Sequence, residues 1–354
     1  MGASDRTSDR TLGRSGSGPA ARVVLVTGVS RFLGARVATT LQSEPGIERV
    51  IGVDTIAPTM PLGRTEFVRV DIRTPSIARL ITSAEVDTVV HLNLVTAPVG
   101  PRPKMKEFNV IGTMQLLAAC QRSPAMRKLV VRSSAAVYGS SPRDHAVFTE
   151  EDEPVEAPSS GYARDAVEVE GYVRGLLRRR SDLTVSVLRF ANFLGPGADS
   201  PLSRYLRMPV VPTVLGFDPR LQFVHVDDGI EVLRRMTVEE HPGTFNVAGD
   251  GVLLLSQALR RAGRQNLPLP GATLTALGDM GRRFARLPGF SPELVRWLTY
   301  GRVVDITRLV DELTWRPKHG SEATFGEFVQ AQGLGQGLPV GLLDRLTRLL
   351  GDPR

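Results

Sequence analysis

Short apolar runs alternate with helical patterns of hydrophobic and polar residues along the first half of the chain. The run "RVVLVTG" from residue 22 is followed by the amphipathic stretch "RFLGARVATTLQS" and then by the run "RVIGVD". Apolar, β-branched runs of this length predict buried strands, and the stretch between them predicts a helix. The pattern therefore begins with a β-α-β unit.

The same alternation continues to about residue 195. Further strand-like runs are "EFVRVDI", "VDTVVHLN", "KLVVRSSAAVYG" and "TVSVLRFANFLG", and helical stretches lie near 75–84, 105–122 and 160–178. Strands that are apolar throughout are typical of a parallel sheet covered by helices on both faces. We expect an α/β fold with one large domain over residues 21–195.

The pattern changes after about residue 196 to segments punctuated by proline and glycine. Residues 196–221 and 251–330 predict a smaller lobe, while the strand-like runs within 222–250 predict a return to the large sheet. Residues 1–20 have the composition of a disordered tail, and 331–354 form an amphipathic, leucine-rich tail. Docking of this tail on protein is favoured over contact of 338–350 with a membrane surface.

The amino-acid composition and charge limit the kinds of protein that this chain can be. With 42% hydrophobic residues and no long apolar run, we expect a cytoplasmic globular protein without a signal peptide or a transmembrane segment. The net charge of +7 comes mostly from arginines spread along the chain, which argues against a nucleic-acid surface. The five histidines have no metal-ligand spacing, so no metal site is predicted. His91 and His225 lie in apolar strand patterns, which favours packing roles.

The turn "LVTGVSRFLG", residues 25–34, follows the first predicted strand and opens the first predicted helix. Backbone N–H groups and the positive helix end make such a turn a phosphate site. Asp54 lies twenty residues beyond Gly34, at the end of the second predicted strand. A carboxylate there accepts hydrogen bonds from an adenosine ribose and repels a 2′-phosphate, so the predicted cofactor is NAD rather than NADP.

These residues also resemble a known family. "TGVSRFLG" is similar to the T-G-x-x-G-F-L-G signature of the extended short-chain dehydrogenase/reductases, in their NAD-dependent epimerase/dehydratase branch. The resemblance covers most of residues 22–318 and includes, in order, "FVRVDIR", "VVHLN", "NVIGTMQLLAA", "SSAAVYG", "LRFANFLGPG", "FVHVDD" and "DITRLVDELTWRPK". It implies a Rossmann-type doubly wound parallel sheet with a smaller C-terminal substrate lobe. It also implies cofactor contacts by Gly28, Phe32, Leu33, Gly34, Asp71, Ile72 and Leu92, with Asp71 and Ile72 bordering the adenine.

The resemblance further implies a chemistry site. Ser134 matches the family serine that holds the substrate oxygen, and Tyr162 matches the tyrosine that passes a proton to or from a sugar hydroxyl. The family lysine, expected one helical turn later, is replaced by Ala166. A free tyrosine has a pKa near ~10, so only about 0.1% is ionised at neutral pH without a nearby ammonium group.

Arg164 does not replace this lysine in a regular helix. A residue at i+2 points roughly 200° away from Tyr162, whereas a residue at i+4 lies only about 40° away. Arginine also stays protonated and is a poor proton relay. Slow chemistry is conceivable, and efficient chemistry by the family's usual route is not expected.

Two further departures concern the ligands. Arg31 replaces the middle glycine of the signature, where a side chain either crowds the cofactor or turns outward; an arginine can also lie along the phosphates and bind them by charge, and so contact the cofactor. The arginine that grips a sugar nucleotide's pyrophosphate is Leu221 here, and Arg220 comes one residue early, so it serves only if a bulge or loop intervenes. Asn192 matches a family substrate contact, and a turn-capping role is the alternative.

Two hypotheses follow. The first is an NAD-dependent epimerase or dehydratase that acts on a nucleotide sugar or related polyol. The second is a catalytically impaired NAD-binding protein of the same fold that serves as a sensor or scaffold. An apolar substrate in the small lobe, prompted by "LTALGDMGRRFARL" and "ELVRWLTYG", is less favoured than ordinary core helices. Family habit implies a homodimer through the helices at about 105–122 and 160–178.

Overall fold

The computed structural model describes residues 21–96, 102–159, 161–198, 200–276 and 291–335. The tail predicted at 1–20 and the segment 338–350 considered for membrane contact lie outside these residues. Within the described ranges, no helix combines the length and the apolar character that spanning a bilayer requires.

The strands and helices follow the predicted alternation. The strands are β1 (Val23–Thr27), β2 (Arg49–Asp54), β3 (Glu66–Arg69), β4 (Thr88–His91), β5 (Lys128–Ser134), β6 (Thr184–Phe190), β7 (Asn192–Leu194), β8 (Val210–Val214), β9 (Arg220–Leu221), β10 (Phe223–His225), β11 (Gly243–Val247), β12 (Leu253–Leu254) and β13 (Gln265–Leu269). The α-helices are α1 (Phe32–Leu41), α2 (Ser76–Ser83), α3 (Arg102–Lys106), α4 (Gly112–Arg122), α5 (Gly161–Arg179), α6 (Pro201–Leu206), α7 (Val226–Val238), α8 (Leu255–Arg261), α9 (Pro292–Tyr300), α10 (Thr307–Leu313) and α11 (Ser321–Ala331).

A central sheet of seven parallel strands has the order β11-β6-β5-β4-β1-β2-β3. The strand order reverses at β1, which pairs with β2 through Val24 and Val50 and with β4 through Val24 and Thr88. In a doubly wound sheet, ligands bind in the crevice at the carboxyl ends of the strands at such a point. The predicted Rossmann-type doubly wound parallel sheet is confirmed.

Alternate residues of β1 supply the cores on the two faces of the sheet. Val24 and Val26 lie in a buried cluster with residues of α1 and α7. Val23 and Leu25 lie in a second cluster with residues of α2, α4 and α5. Because successive side chains of a strand point to opposite faces, an uninterrupted apolar run is what a sheet covered on both sides requires.

A third core belongs to the segments that flank β10. It combines α6, α8, α9 and α11 with β8, β9 and β12, and Phe223 and Phe325 lie at its centre. Trp297 and Leu298 of the stretch "ELVRWLTYG" are buried in it, so α9 is an ordinary core helix. The other stretch, "LTALGDMGRRFARL", lies mostly outside the described residues. From the intervening chain, β11 returns to the large sheet and pairs with β6.

The predicted helix at 105–122 is interrupted. A π-helical turn, Glu107–Ile111, joins α3 to α4. It directs Asn109 inward, where the side-chain amide accepts from the Val95 N–H and donates to the Val95 carbonyl and to Asp165. Widened turns of this kind re-aim side chains inside helices. The turn thus fixes the loop after β4 to α5.

His91 ends β4 as a buried, neutral core residue. Its Nδ1 lies 2.8 Å from the Thr27 hydroxyl, and its Nε2 lies 2.8 Å from the Thr113 hydroxyl. Burial lowers the pKa of His91 to about 4. The ring therefore joins β1 to α4 in its uncharged form, which is a structural role.

The buried state of His91 predicts acid destabilisation. Its pKa is near 6.5 in an unfolded chain and about 4 in the folded one, so its contribution is complete above pH 6.5 and is lost as the pH falls toward 4. Between about pH 7.5 and pH 5, the free energy of unfolding of the wild type is expected to fall by about 2 kcal/mol more than that of His91→Gln. Urea unfolding at the two pH values measures this. The exposed His145 provides the control, and His145→Asn should behave as wild type.

Candidate functional site

The turn between β1 and α1 has the shape of a phosphate cradle. Gly28 has a φ of +81°, and its N–H donates to the carbonyl of Val53. A Cβ on Gly34 would lie 2.2 Å from the Gly28 carbonyl oxygen, so α1 touches the backbone of the turn. This contact requires glycine and brings the positive end of α1 to the end of β1.

Arg31 begins this helix and leaves the turn. Its backbone is extended, its side chain is exposed, and it makes no capping hydrogen bond. Phe32 packs against the core and against Gly197, and Leu33 packs against the same core. The residues around the missing middle glycine therefore still form the turn, and the charge of Arg31 acts on Asp54 and Arg132 at the crevice.

Asp54 ends β2 with its carboxylate fixed by neighbours. Its Oδ2 accepts from the Ser30 N–H at 3.1 Å and from the Ser30 hydroxyl at 2.5 Å. Its Oδ1 accepts from the Thr55 N–H at 2.7 Å. These bonds hold a negative group at the crevice, where it suits a ribose diol and disfavours a 2′-phosphate.

A cleft of about 220 Å³ lies between the cradle and Asp54. Its lining combines four predicted cofactor residues with two that the sequence did not single out: Gly28, Asp54, Asp71 and Ile72, with Asn93 and Phe108. The position matches the adenosine end of a dinucleotide bound at the strand-order reversal. The cradle that a Cβ would fill, and the carboxylate beside it, fit NAD.

Asp71 is engaged by a neighbouring arginine. Both of its carboxylate oxygens accept from Arg73, at distances between 2.6 and 3.0 Å, and the Arg73 guanidinium lies 4.2 Å from the centre of the Phe108 ring. The Arg73 side chain, by hydrogen bonding, lowers the pKa of Asp71. Asp71 thus borders the cleft with its negative charge neutralised by Arg73.

A second cleft, of about 260 Å³, lies at the carboxyl ends of β5 and β6. Ser134, Asn192 and Arg302 line it together. The Ser134 Oγ accepts from the Ala136 N–H at 3.2 Å, which leaves its hydroxyl hydrogen for a ligand. The side chain of Asn192 makes no hydrogen bond to any residue in the described part of the chain. Two of the predicted substrate residues therefore share one opening.

Tyr162 stands in the first turn of α5, half-buried, after Gly161 with a φ of +68°. One turn later, Ala166 is only 1% exposed and packs in an apolar cluster with Leu94 and Ala135. The side chain of Arg164 is 54% exposed and pairs with Glu168 at 3.1 Å. The lysine position is thus a small apolar contact, and Arg164 is directed to the surface.

Two arginines from other elements act on Tyr162. Burial lowers the pKa of Arg132 to about 10, with the charge of Arg31 adding to the effect, whereas Tyr162 opposes it. Burial also lowers the pKa of Arg302, and Tyr162 and Asp144 oppose that shift. Both groups stay cationic at neutral pH. The sequence motifs did not reveal them, although Arg132 interrupts the apolar strand two residues before Ser134.

Glu170, two turns after Tyr162 on α5, is structural. It is buried and binds Arg189 at 2.7 Å and the Ser133 hydroxyl at 2.6 Å. Arg189 also donates to the hydroxyl of Tyr138, which in turn donates to Asn246. This network joins α5 to β5, β6 and β11 on the side away from Ser134.

Arg220 does not line the second cleft. Its guanidinium donates to the carbonyl of Ala146 at 2.6 Å, and β9 pairs with β12 at this point. Leu221 is fully buried in the third core. Arg302, which sequence reasoning missed, lines the cleft instead of Arg220. It is held by the Gly139 carbonyl and the Ser140 hydroxyl.

Two histidines that are distant in sequence meet outside these clefts. His225, His319 and Glu327 have potential ligand atoms within 4.8 Å of one another. However, His225 Nδ1 accepts from the Asp227 N–H at the start of α7, which places the proton of a neutral ring on Nε2, facing Glu327 at 3.2 Å. His319 Nδ1 lies 2.9 Å from Asp228. The cluster is therefore a polar junction between α7 and α11.

Comparison with protein families identifies the chain. A model of the NAD dependent epimerase/dehydratase family matches residues 24–248. The chain belongs to this family. The predicted family and its NAD cofactor are confirmed at the level of the family.

Relatives and solved structures of this family cover most of the chain. An uncharacterized protein of Mycobacterium tuberculosis strain H37Rv is 46% identical over 321 residues, or 88% of this chain and 85% of the relative. The UDP-glucose 4-epimerase of Thermotoga maritima, solved with UDP-glucose, superposes with a TM-score of 0.68 at 20% identity, covering 88% of this chain and 98% of that one. The dTDP-glucose 4,6-dehydratase of Bacillus anthracis, solved with NAD, superposes with a TM-score of 0.66 at 19% identity, covering 88% and 97%. At these identities the two structures share the fold.

The contact of Gly34 with the turn predicts that alanine substitutions at two glycines will change the stability of this epimerase/dehydratase family member in opposite directions. Gly34→Ala puts a methyl group against the Gly28 carbonyl, so the free energy of unfolding is expected to fall by about 2–3 kcal/mol. Gly326 is a matched control because it lies inside α11 with nothing within 4 Å of its Cβ direction. Gly326→Ala should be stabilised by about 0.5–1 kcal/mol. Urea unfolding measures both, and equal stabilities would contradict the contact.

Proposed function

We propose that the protein is an NAD-dependent oxidoreductase of the epimerase/dehydratase type that acts on a nucleotide sugar or related polyol. The observation that carries this proposal is the cleft lined by Ser134, Asn192 and Arg302, with Tyr162 acting electrostatically on Arg302. A hydroxyl-bearing substrate needs a hydrogen-bonding group, a proton acceptor and an anchor for its charged part. Ser134 and Arg302 of the cleft, together with Tyr162 near Arg302, offer all three.

The roles follow from the chemistry of the side chains. Ser134 donates a hydrogen bond to the substrate oxygen, and Tyr162 as phenolate takes the hydroxyl proton, so a C–H and an O–H bond of the substrate are lost to form a carbonyl. When bound, the oxidised nicotinamide supplies the acceptor for the hydride. Gly28, Gly34, Asp54, Asp71 and Ile72 would hold the cofactor, with Leu92 at the end of β4 and Arg31 near its phosphates.

The positive charge of Arg302 supports a substrate that carries negative charge. It makes no ion pair with a carboxylate among the described residues, and its fixed guanidinium fork suits phosphate oxygens. Among solved structures of similar fold, the Thermotoga maritima epimerase has UDP-glucose bound. A nucleoside diphosphate sugar combines the required hydroxyls with a pyrophosphate for Arg302.

The alternative is a catalytically impaired NAD-binding protein of the same fold that acts as a sensor or scaffold. The observation that favours it is Ala166, which fills the lysine position with an apolar contact. Without the lysine ammonium group on α5, the family's usual means of making the phenolate accessible for proton transfer is missing. Both functions include NAD binding, but only the first includes turnover of a substrate.

The first test combines binding with turnover. Calorimetry should show NAD binding with at least about tenfold preference over NADP, because Asp54 repels a 2′-phosphate. Interconversion of UDP- and dTDP-sugars, followed by chromatography, should occur in the wild type and be lost in Tyr162→Phe. Arg164→Ala, a surface change on the same helix, should keep the wild-type rate.

Three outcomes separate the hypotheses. NAD binding without turnover, together with a gain of turnover in Ala166→Lys, would support the impaired protein. Turnover that survives Tyr162→Phe would assign the proton transfer to another group. Absence of dinucleotide binding would reject both functions.

The second test compares two arginines for the substrate anion. Arg302→Met should weaken binding of UDP-sugars by roughly tenfold or more, because it removes charged donors from the cleft. Arg220→Met should have little effect, since its guanidinium is bound to the Ala146 carbonyl. Calorimetry with UDP-glucose and with free UDP measures both variants. The opposite ranking would return the anchor to Arg220, the residue that the family pattern favoured.

A further inference from the structure

We propose that Trp297 contacts the sugar ring of the substrate in the second cleft and donates a hydrogen bond from its indole N–H to a sugar hydroxyl. The inference rests on the proposed function and deepens it, because it names the part of the substrate that α9 recognises. Trp297 is then a specificity-determining residue that favours a nucleotide sugar over the bare nucleotide.

Trp297 and Arg302 stand on the two sides of one turn. Gly301, with a φ of +70°, ends α9, and its N–H donates to the Trp297 carbonyl at 2.8 Å. A Cβ on Gly301 would lie 2.6 Å from the Arg220 carbonyl oxygen, so the turn packs against β9 and requires glycine. The turn brings the chain back to the cleft that it has just passed, and both Trp297 and Arg302 line this cleft.

The ring of Trp297 lies at the boundary between the third core and the second cleft. The residue is 6% exposed and lies in that core with Val295 and Leu298 of the same helix. Within the described residues its indole N–H makes no hydrogen bond, and it is not among the enclosed polar atoms that lack a partner. Because an N–H turned into the apolar core would be an unsatisfied donor, the N–H edge is the part of the ring that faces the cleft.

The polar side chain of Gln222, which also lines the cleft, is occupied by the backbone. Its Nε2 donates to the Val304 carbonyl at 3.1 Å and to the Gly249 carbonyl at 3.4 Å, and its Oε1 accepts from the Val304 N–H at 2.8 Å. Gln222 therefore fixes the wall of the cleft and has little left to offer a ligand. The lining side chains that keep an unused donor in the described part of the chain include Ser134, Asn192 and Trp297.

The sugar ring is the part of the substrate that meets Trp297. Under the proposed function, Ser134 binds the reacting oxygen and Arg302 binds the pyrophosphate, and the sugar ring joins these two parts of a nucleoside diphosphate sugar. A residue that lines one cleft with both therefore borders the ring. The cleft, of about 260 Å³, is smaller than the roughly 300–1,000 Å³ that enclose a drug-sized ligand, so it holds the sugar end and not the whole nucleotide. An aromatic ring with a polar edge suits a sugar, which has both C–H groups and hydroxyls.

Tryptophan fluorescence tests the contact directly, because the chain has two tryptophans, Trp297 and Trp315. Trp315 packs against the core of α1 and α7, with the Arg235 guanidinium 5.7 Å from its ring centre, and is not among the residues that line the cleft. In the NAD-loaded Trp315→Phe variant, the fluorescence therefore reports Trp297 alone. UDP-glucose should quench it saturably, whereas saturating free UDP should not. The reciprocal variant Trp297→Phe, which keeps Trp315, should show no change with either ligand.

Calorimetry measures how much the N–H contributes to binding. Trp297→Phe keeps an aromatic ring in the core and removes the donor, so the affinity for UDP-glucose should fall by about three- to tenfold, while the affinity for free UDP should stay within about twofold. Tyr300→Phe is the matched control, because Tyr300 lies on the same helix, is 37% exposed and does not line the cleft. It should bind both ligands as the wild type does. Equal losses for UDP-glucose and UDP in Trp297→Phe would indicate a structural role and overturn the contact.

The outcomes separate this contact from the proposed function. Calorimetric binding of UDP-glucose without quenching in Trp315→Phe would overturn the contact and leave the proposed function standing, and so would full quenching by free UDP. Quenching by UDP-glucose without sugar turnover would keep the contact and reject the oxidoreductase function. If Trp297→Phe does not fold, the fluorescence of Trp315→Phe decides by itself. Absence of binding by UDP- and dTDP-sugars would reject the nucleotide-sugar substrate and the contact together.

Discussion

The contact between α1 and the turn after β1 is the constraint on which the crevice depends. The backbone of Gly34 touches the Gly28 carbonyl, so the positive end of α1 lies directly over the carboxyl ends of β1, β2 and β4. Asp54 can then reach the turn through Ser30. Because residues on both sides of Arg31 make these contacts, the loss of the middle glycine changes which charge faces the crevice while the turn itself is kept.

Arg132 and Arg302 at the crevice have no carboxylate partner among the described residues. Many other guanidinium groups meet carboxylates, as Arg189 meets Glu170 and Arg234 meets Glu231. Arg132 and Arg302 bind only carbonyls and a hydroxyl within the described residues. The charges of both arginines also act on Tyr162. An anionic ligand and an ionised tyrosine are the groups that such a site accommodates.

Sequence reasoning located what local patterns encode. The apolar runs predicted the parallel sheet, and the spacing from Gly34 to Asp54 anticipated two sides of one cleft. A motif assigns roles only to positions that match it, so the substitution at Ala166 signalled a missing cation without indicating a replacement. Arg132 and Arg302, whose charges act on Tyr162, lie on other elements and far from Ala166 in sequence. The same limit applies to His225 and His319, which meet where the segment before α11 reaches the end of β10.

The loss of the lysine at position 166 also bears on the kind of reaction that the proposed function allows. A lysine beside the tyrosine can pass a proton onward because its pKa is adjustable, whereas the arginines whose charges act on Tyr162 stay protonated. Under the proposed function, the proton that Tyr162 receives then has no relay to solvent through these arginines. A reaction that returns this proton to the same substrate, such as epimerisation, needs no relay. Net oxidation requires the proton to leave for solvent at each turnover, so the proposed function fits reversible chemistry within one bound substrate better than net oxidation.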